Sequence, residues 1–211
     1  MLTVHHLGQS QSERIVWLCE ELGIPYELKV YQRAPRLAPP EYKALHPVGS
    51  APVITDGAIT LAESGAVVEY ILAKYGEGRL AHGKDHPAFA DYLYWLHFAN
   101  GTLQPAMMRL MVTTLLQAPA DNPTRAWGEQ RLAQMLQMMD QRLGAYPWLA
   151  GAEFTAADIM AGFSLSTMRH FQPLDLAPYA HIRAWLARIG ARPAYQRAMA
   201  KGDPDMELLL G

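Results

Sequence analysis

The stretch His46–Tyr70, HPVGSAPVITDGAITLAESGAVVEY, most constrains how this chain can fold. Val53–Ile54 and Ile59–Leu61 are short runs rich in β-branched residues, and Asp56–Gly57 between them is a strong turn signal. This pattern predicts a β-hairpin. A helical pattern begins at once, at Glu63–Gly65. Because the start of a helix presents unpaired N–H groups and the positive end of the helix dipole, the junction is suited to binding a carboxylate.

The residues before this stretch predict a β-α-β unit. Leu2–Leu7 is predicted to be a buried strand, and Ser12–Leu22 has apolar residues at helical spacing before Gly23 ends the helix. Pro25–Tyr31 is predicted to be the second strand, reached by a right-handed crossover. With a short helix at Glu41–Leu45, the predicted order is β-α-β-(α)-β-β-α.

The second half of the chain changes class. We expect an α/β domain over residues 1–76, a linker rich in Gly, His and charge over 77–86, and an all-helical domain over 87–211. Gly101 and Pro105 are expected to bend or divide the first long helix. Further helices are predicted at Thr124–Leu143, Ile182–Ile189 and Pro193–Lys201.

Phe154–Ile159 carries the sharpest folding signal of this half. Thr155 is suited to cap a helix, and Asp158 lies at the third helical position, where it can return the hydrogen bond. Phe154 can pack on Ile159 as a hydrophobic staple. We interpret the segment as structural.

Composition narrows the function. A net charge of −2 over 211 residues gives no general attraction for nucleic acid or anionic lipid. No apolar stretch reaches 18 residues, and the single Cys19 excludes an internal disulfide framework, so we expect a soluble cytoplasmic protein. His5 and His6 point to opposite faces of a strand, and the histidine spacing predicts no metal site.

The order of these motifs resembles the soluble glutathione transferases over essentially the whole chain. The pairs that carry the resemblance are Ala51-Pro52, Asp56-Gly57 and Glu63-Ser64, together with WLCEELG at Trp17–Gly23. The resemblance is strongest to the bacterial and fungal members of the serine-type, theta-like group. It implies a thioredoxin-like N-terminal domain followed by an all-α domain.

The resemblance also implies a glutathione site. Pro52 is then a cis proline, the backbone of Ala51 pairs with the cysteinyl part of glutathione, and Glu63 and Ser64 bind its γ-glutamyl end. The family often carries basic residues where this chain has Ser50 and Gly65. The nearby basic candidates for the glycine carboxylate are Arg33, Arg36 and Lys43.

Catalysis in this family needs the glutathione thiol as a thiolate, because the thiolate is the nucleophile. Lowering a thiol pKa near 8.5 by about two units requires roughly 2.7 kcal/mol. Serine-type members use a hydroxyl four residues before an arginine of the first helix. Counting back from Arg14 gives Ser10, and Ser12 is the second candidate. Ser10-x-x-Glu13 is also a capping-box pattern, so a purely structural Ser10 is the alternative.

The resemblance implies an electrophile pocket that combines the first turn with the helix after the linker. Methionine would suit an adaptable apolar pocket, although a methionine stripe is also typical of plain core. The expected pocket residues are Leu7, Gln9, Asn100, Gln104, Met107, Met108 and Met111.

The implied function is that of a homodimeric glutathione S-transferase acting in detoxification, with glutathione as co-substrate, no metal, and an apolar electrophile or a peroxide as acceptor. Cysteine-type members of the family place a cysteine in the turn after the first strand and carry out thiol–disulfide exchange. This chain has Gln9, Ser10 and Gln11 in that turn, which disfavours the exchange activity. Cys19 is interpreted as a buried helix residue. The alternative function is a non-catalytic binding or scaffold protein of the same fold, favoured by the missing basic residues at Ser50 and Gly65.

Overall fold

The computed structural model describes residues 1–34 and 37–211, so the candidate Arg36 lies outside the described residues. The chain divides into two compact units. The first unit is formed by Met1–Gly83 together with Gly190–Leu208, and the second by Lys84–Ile189 together with Leu209–Gly211.

The first unit contains a four-stranded mixed sheet in the order β2-β1-β3-β4. β1 pairs in parallel with β2 and antiparallel with β3, and β3 pairs antiparallel with β4. The predicted β-α-β unit and the hairpin are therefore confirmed. The elements are β1 (Leu2–Leu7), α1 (Glu13–Leu22), β2 (Glu27–Tyr31), α2 (Pro40–Lys43), β3 (Val53–Asp56), β4 (Ile59–Ala62), α3 (Ser64–Tyr75) and, near the end of the chain, α9 (Pro193–Gly202).

Burial of apolar side chains explains this arrangement. α1 packs against β1 and α3, and α3 packs against β3 and β4. These elements contribute side chains that are completely buried: Val4 from β1, Leu18 from α1, Ile54 from β3, and Val67 and Ile71 from α3. Removing their side chains from water stabilises the fold by about 1.5–3 kcal/mol each. Every residue of β1 is buried, which makes this strand the centre of the sheet.

Helix α9 belongs to the first unit, and this differs from the predicted boundary that placed all of 87–211 in one helical domain. The rings of Trp17 and Tyr195 meet edge to face with centroids 4.9 Å apart. The guanidinium of Arg192 donates two hydrogen bonds, of 2.6 and 2.7 Å, to the Glu21 carboxylate. The sequence did not reveal this because α1 and α9 are brought together only by packing.

The second unit is helical, as expected. A π-helical turn over Ala99–Leu103 separates α4 from α5, which confirms that the first long helix is divided near Gly101 and Pro105. Among the described residues, no helix combines the length and the apolar character needed to cross a bilayer. The helices are α4 (Phe89–Phe98), α5 (Gln104–Leu115), α6 (Pro123–Ala145), α7 (Ala156–Leu165) and α8 (Ala180–Gly190).

The predicted capping box at the start of α7 is present. The Thr155 side chain accepts a hydrogen bond from the first turn, and the Asp158 carboxylate accepts one from Thr155 N at 3.1 Å. The other carboxylate oxygen accepts from Leu149 N and from Trp185 Nε1, both at 3.0 Å. Asp158 therefore ties three segments of the second unit together, which supports its structural interpretation.

Candidate active site

The site is built around the turn that joins β1 to α1. Gln9 in this turn has a positive φ of 52°, a left-handed conformation that a non-glycine residue adopts only when its surroundings hold it. Arg33 donates to the carbonyl oxygens of Gly8 and Gln9 at 2.9 and 2.8 Å, and Asp203 Oδ1 accepts from Gln9 N at 2.8 Å. The turn is thus held by a cation on its carbonyl groups and by a carboxylate on its N–H group.

Ser10 lies at the end of this turn and is 5% exposed. Its hydroxyl donates to Leu7 O at 2.7 Å and accepts from Ser12 N at 3.2 Å. α1 begins at Glu13, with Ser12 rather than Ser10 at the N-cap position. The hydroxyl of Ser10 therefore closes a local turn, and it does not form the Ser10–Glu13 capping box that the sequence offered as an alternative.

Ser12 is completely buried, and protein groups surround its hydroxyl. The oxygen accepts from Leu7 N at 3.0 Å and lies 2.9 Å from His6 Nδ1 and 2.8 Å from Ser10 Oγ. It also lies 3.3 Å from Leu7 O. Because protein groups surround the Ser12 hydroxyl, Ser12 lies deeper in the protein than Ser10, that is, behind it as seen from the surface.

A buried hydrogen-bond chain extends from these two hydroxyls to the end of α9. His6 is completely buried, and its Nε2 lies 2.9 Å from Asp203 Oδ2. A Cβ atom on Gly202 would lie 3.0 Å from His6 Nε2, so a larger residue there would crowd the imidazole. The hydrogen bonds link Asp203 to His6, His6 to Ser12, and Ser12 to Ser10.

Sequence reasoning missed His6 and Asp203 as members of this site. His6 was considered only as a metal ligand, and Asp203 lies 197 residues further along the chain. The only local hint of a functional histidine was the pair His5–His6 in the buried first strand. Of these two, His5 lies outside the site and hydrogen-bonds to Tyr31 Oη and Thr55 Oγ1. No spacing rule connects residues that only the packing of α9 on the sheet brings together.

The predicted glutathione-binding residues lie at the start of β3 and at the junction of β4 and α3. The Ala51–Pro52 peptide bond is cis, as the resemblance implied. Glu63 has a positive φ of 72° and no capping bond from its side chain. Ser64 is the first residue of α3 and is buried. The first-turn N–H groups of a helix have no intrahelical partner, so this junction is suited to bind an anion.

The buried guanidinium of Arg14 lies next to the Ser64 hydroxyl. Arg14 Nη1 donates to Gln11 Oε1 at 2.8 Å and to Ser64 Oγ at 3.4 Å. Arg14 is completely buried, and burial lowers its pKa to about 9. The guanidinium is still charged at neutral pH. It therefore places positive charge next to Ser64, close in sequence to Gly65, where the family pattern often has a basic residue.

The remaining predicted residues are distributed over both units. Arg33, a candidate for the glycine carboxylate, is engaged with the turn, and the Lys43 side chain is exposed. Leu7 and Gln9 belong to the first unit, and the other five pocket candidates belong to the second. Met107 is completely buried, whereas Met108 is 40% exposed, so the two do not share one environment. The electrophile pocket stays a prediction.

Comparison with known proteins decides the family. The family model described as "Glutathione S-transferase, N-terminal domain" matches residues 10–74, and the one described as "Glutathione S-transferase, C-terminal domain" matches residues 103–193. The chain is 31% identical over 214 residues to glutathione S-transferase 3 of Schizosaccharomyces pombe, covering 95% of this chain and 88% of the relative. The chain belongs to the glutathione S-transferase family.

Solved structures of the glutathione S-transferase family agree with this assignment. A glutathione S-transferase from Actinobacillus pleuropneumoniae superposes with a TM-score of 0.87 at 33% identity, covering 96% of this chain and 93% of that one. A theta-class enzyme from Xanthomonas axonopodis pv. citri, solved with glutathione bound, gives a TM-score of 0.73 at 28% identity, with 93% and 96% coverage. The thioredoxin-like domain followed by a helical domain is thereby confirmed.

Proposed function

We propose that this glutathione transferase binds glutathione between the cis-proline segment and the two helix starts of its first unit. The backbone of Ala51, held by the cis Pro52, pairs with the cysteinyl part. Glu63 and Ser64 bind the γ-glutamyl end, with the first-turn N–H groups of α3 facing its carboxylate. The sulfur then lies at the turn before α1, within reach of Ser10.

The observation that carries this proposal is the placement of Ser10 in front of Ser12. Both hydroxyls lie at the start of α1, but Ser12 is completely buried and its contacts are filled by protein groups. The Ser10 hydroxyl donates to Leu7 O and lies 2.8 Å from Ser12 Oγ, and a rotation of its O–H can transfer the donated hydrogen bond to an incoming sulfur. A charge-assisted hydrogen bond contributes about 1.5–3 kcal/mol, which matches the roughly 2.7 kcal/mol that thiolate formation requires.

The test is the variant Ser10→Ala, assayed with glutathione and a chlorinated aromatic acceptor. Raising the thiol pKa by about two units, from about 6.5 to about 8.5, lowers the thiolate fraction at pH 7 by about 25-fold, so we expect kcat/KM to fall by about that factor. Thr60→Ala removes an exposed hydroxyl from β4 of the same unit and should retain activity. An unchanged kcat in a folded Ser10→Ala variant would remove Ser10 from this role.

The acceptor is proposed to be an apolar electrophile or a peroxide. The binding-protein alternative predicts no turnover with any acceptor. Family membership and the presence of Ala51, Pro52, Glu63 and Ser64 favour the enzyme.

Two further properties belong to the proposal. The protein is expected to form a homodimer through α3 and α4, and exposed Leu93 and Tyr94 on α4 support an apolar contact there. A cytoplasmic location and a role in detoxification are expected from the composition and the family. Cell fractionation followed by immunoblotting tests the location.

A further inference from the structure

We propose that His6 receives the proton of the glutathione thiol through the hydroxyls of Ser12 and Ser10, and that Asp203 holds His6 in the form that can receive it. The inference rests on the proposed contact between Ser10 and the sulfur. It identifies two positioning residues, one at each end of the chain, that act on the substrate only through Ser10.

The hydrogen-bond partners determine where the protons lie before glutathione binds. A carboxylate can only accept, so His6 Nε2 donates to Asp203 Oδ2 across 2.9 Å. In a neutral imidazole, Nδ1 is then the acceptor, and it accepts the proton of Ser12 across 2.9 Å. Ser12 Oγ accepts in turn from Leu7 N. Ser10 donates its proton to Leu7 O at 2.7 Å, and a rotation of the O–H turns that proton to Ser12 Oγ, 2.8 Å away. Ser10 Oγ is left as the acceptor for an S–H group.

Hydrogen bonds hold the Asp203 carboxylate in place. Its Oδ1 accepts from Gln9 N at 2.8 Å, and electrostatic attraction links the carboxylate to Arg33. Arg33 itself is fixed by the Gly8 and Gln9 carbonyl groups. The carboxylate thus has a backbone N–H on one oxygen and the imidazole N–H on the other, an arrangement that orients His6 and stabilises an imidazolium.

The proton transfer balances without any other reactant. The S–H bond breaks and sulfur keeps the electron pair. The thiol proton moves to Ser10 Oγ, the former Ser10 proton moves to Ser12 Oγ, and the former Ser12 proton moves to His6 Nδ1. His6 becomes an imidazolium that faces the Asp203 carboxylate, and nothing is oxidised or reduced.

This transfer also creates the hydrogen bond that stabilises the thiolate. After the shift, Ser10 carries a proton that points at the sulfur anion, and Ser12 donates to Ser10. One movement along the chain therefore both removes the thiol proton and supplies the charge-assisted bond. After the sulfur has attacked the electrophile, the proton returns along the same hydroxyls to the anion that the reaction displaces, chloride or alkoxide, and leaves with it.

The decisive experiment counts protons on the unmodified enzyme. Glutathione is mixed with the protein at pH 7 in a weak buffer with a pH indicator, while ultraviolet absorbance reports the thiolate. S-methylglutathione, which has no ionisable thiol, corrects for protons released by the rest of the molecule. We expect a thiolate to form with clearly less than one proton released for each thiolate. Release of one full proton would overturn the inference.

Two variants test the residues themselves. His6→Gln keeps a hydrogen-bonding side chain that cannot accept a proton, and Asp203→Asn removes the charge. General acid–base assistance is typically worth 10²–10⁴-fold, so we expect kcat to fall by about 100-fold in His6→Gln, with little change in KM for glutathione. His5→Gln and Asp205→Asn are the matched controls, since His5 bonds to Tyr31 and Thr55 and Asp205 is exposed.

The outcomes separate this inference from the proposed function. If the native enzyme forms no thiolate on binding glutathione, or if folded Ser10→Ala retains full activity, the proposed role of Ser10 fails. If the native enzyme forms the thiolate and Ser10→Ala abolishes it, while folded His6→Gln and Asp203→Asn retain it, only the inference about His6 fails. Asp203→Glu should recover part of the lost thiolate absorbance, because it restores the charge.

Discussion

At the scale of single residues, two buried carboxylates show how environment determines a pKa. Asp56 accepts from Lys74 at 2.7 Å, and hydrogen bonds from Lys74, Tyr75 and Tyr70 lower its pKa to about 2. Asp158 also has several donors, but complete burial raises its pKa to about 6. The difference arises because Asp56 has a cation beside it, whereas Leu149 N, Thr155 N and Trp185 Nε1 donate to Asp158 as neutral groups.

The raised pKa of Asp158 gives a pH-dependent stability. Because the folded-state pKa lies above the ordinary aspartate value of 3.8, the contribution of Asp158 to stability is fully present below about pH 3.8 and is lost as the pH rises through about 6. Asp158→Asn has no such titration, and it leaves buried donors of Leu149 and Trp185 with a poorer acceptor. We expect the variant to lower the free energy of unfolding, and to lower it more at pH 4 than at pH 7.

Chemical unfolding at pH 4 and pH 7 measures this difference. Asp121→Asn replaces an exposed aspartate of the same unit and should show little change at either pH. A penalty for Asp158→Asn that is larger at pH 7 than at pH 4 would contradict the raised pKa.

At the scale of secondary-structure elements, local sequence patterns predicted most boundaries. Gly23 adopts a left-handed conformation with φ 62° at the end of α1, and Gly57 does the same, with φ 61°, in the hairpin turn. Thr155 and Asp158 form their predicted box. The start of α1 was less predictable because Ser10-x-x-Glu13 matches a capping box, whereas Ser12 is the residue at the N-cap position. Tertiary partners decide between them, since Leu7 N and His6 engage Ser12.

The attachment of α9 to α1 gives a prediction at this scale. The Glu21 carboxylate side chain is 7% exposed and accepts two hydrogen bonds from Arg192. Arg192→Ala leaves a largely buried carboxylate without this partner, so we expect the free energy of unfolding to fall by about 2–4 kcal/mol. Arg192→Lys should recover only part of the loss, because lysine cannot form the bidentate pair.

Urea unfolding followed by circular dichroism checks this expectation. Arg183→Ala removes an exposed arginine from α8 and should leave the unfolding midpoint almost unchanged. If Arg192→Ala were as stable as Arg183→Ala, the bidentate pair would not be what secures α9 to α1.

At the scale of the whole molecule, we expect a homodimer. The family resemblance motivates this expectation, and it assigns the contact to the helices after Ser64 and after Pro87. Sedimentation velocity at micromolar concentration should give a mass near 47 kDa, about twice the 23.5 kDa of the chain. Leu93→Glu places a charge on the exposed face of α4 and should favour the monomer. A monomeric native protein at that concentration would contradict the expectation.

The family resemblance supplied the cis Pro52 and the candidate Ser10, whereas the sequence by itself determined the class of each half and the hairpin. These features depend on residues that are close together in the chain, where turn chemistry and periodicity act directly. Only the tertiary structure decided that α9 belongs to the first unit, that Ser12 lies behind Ser10, and that Asp203 meets His6. Such contacts depend on which buried surfaces fit together across nearly 200 residues, and no local pattern encodes that fit.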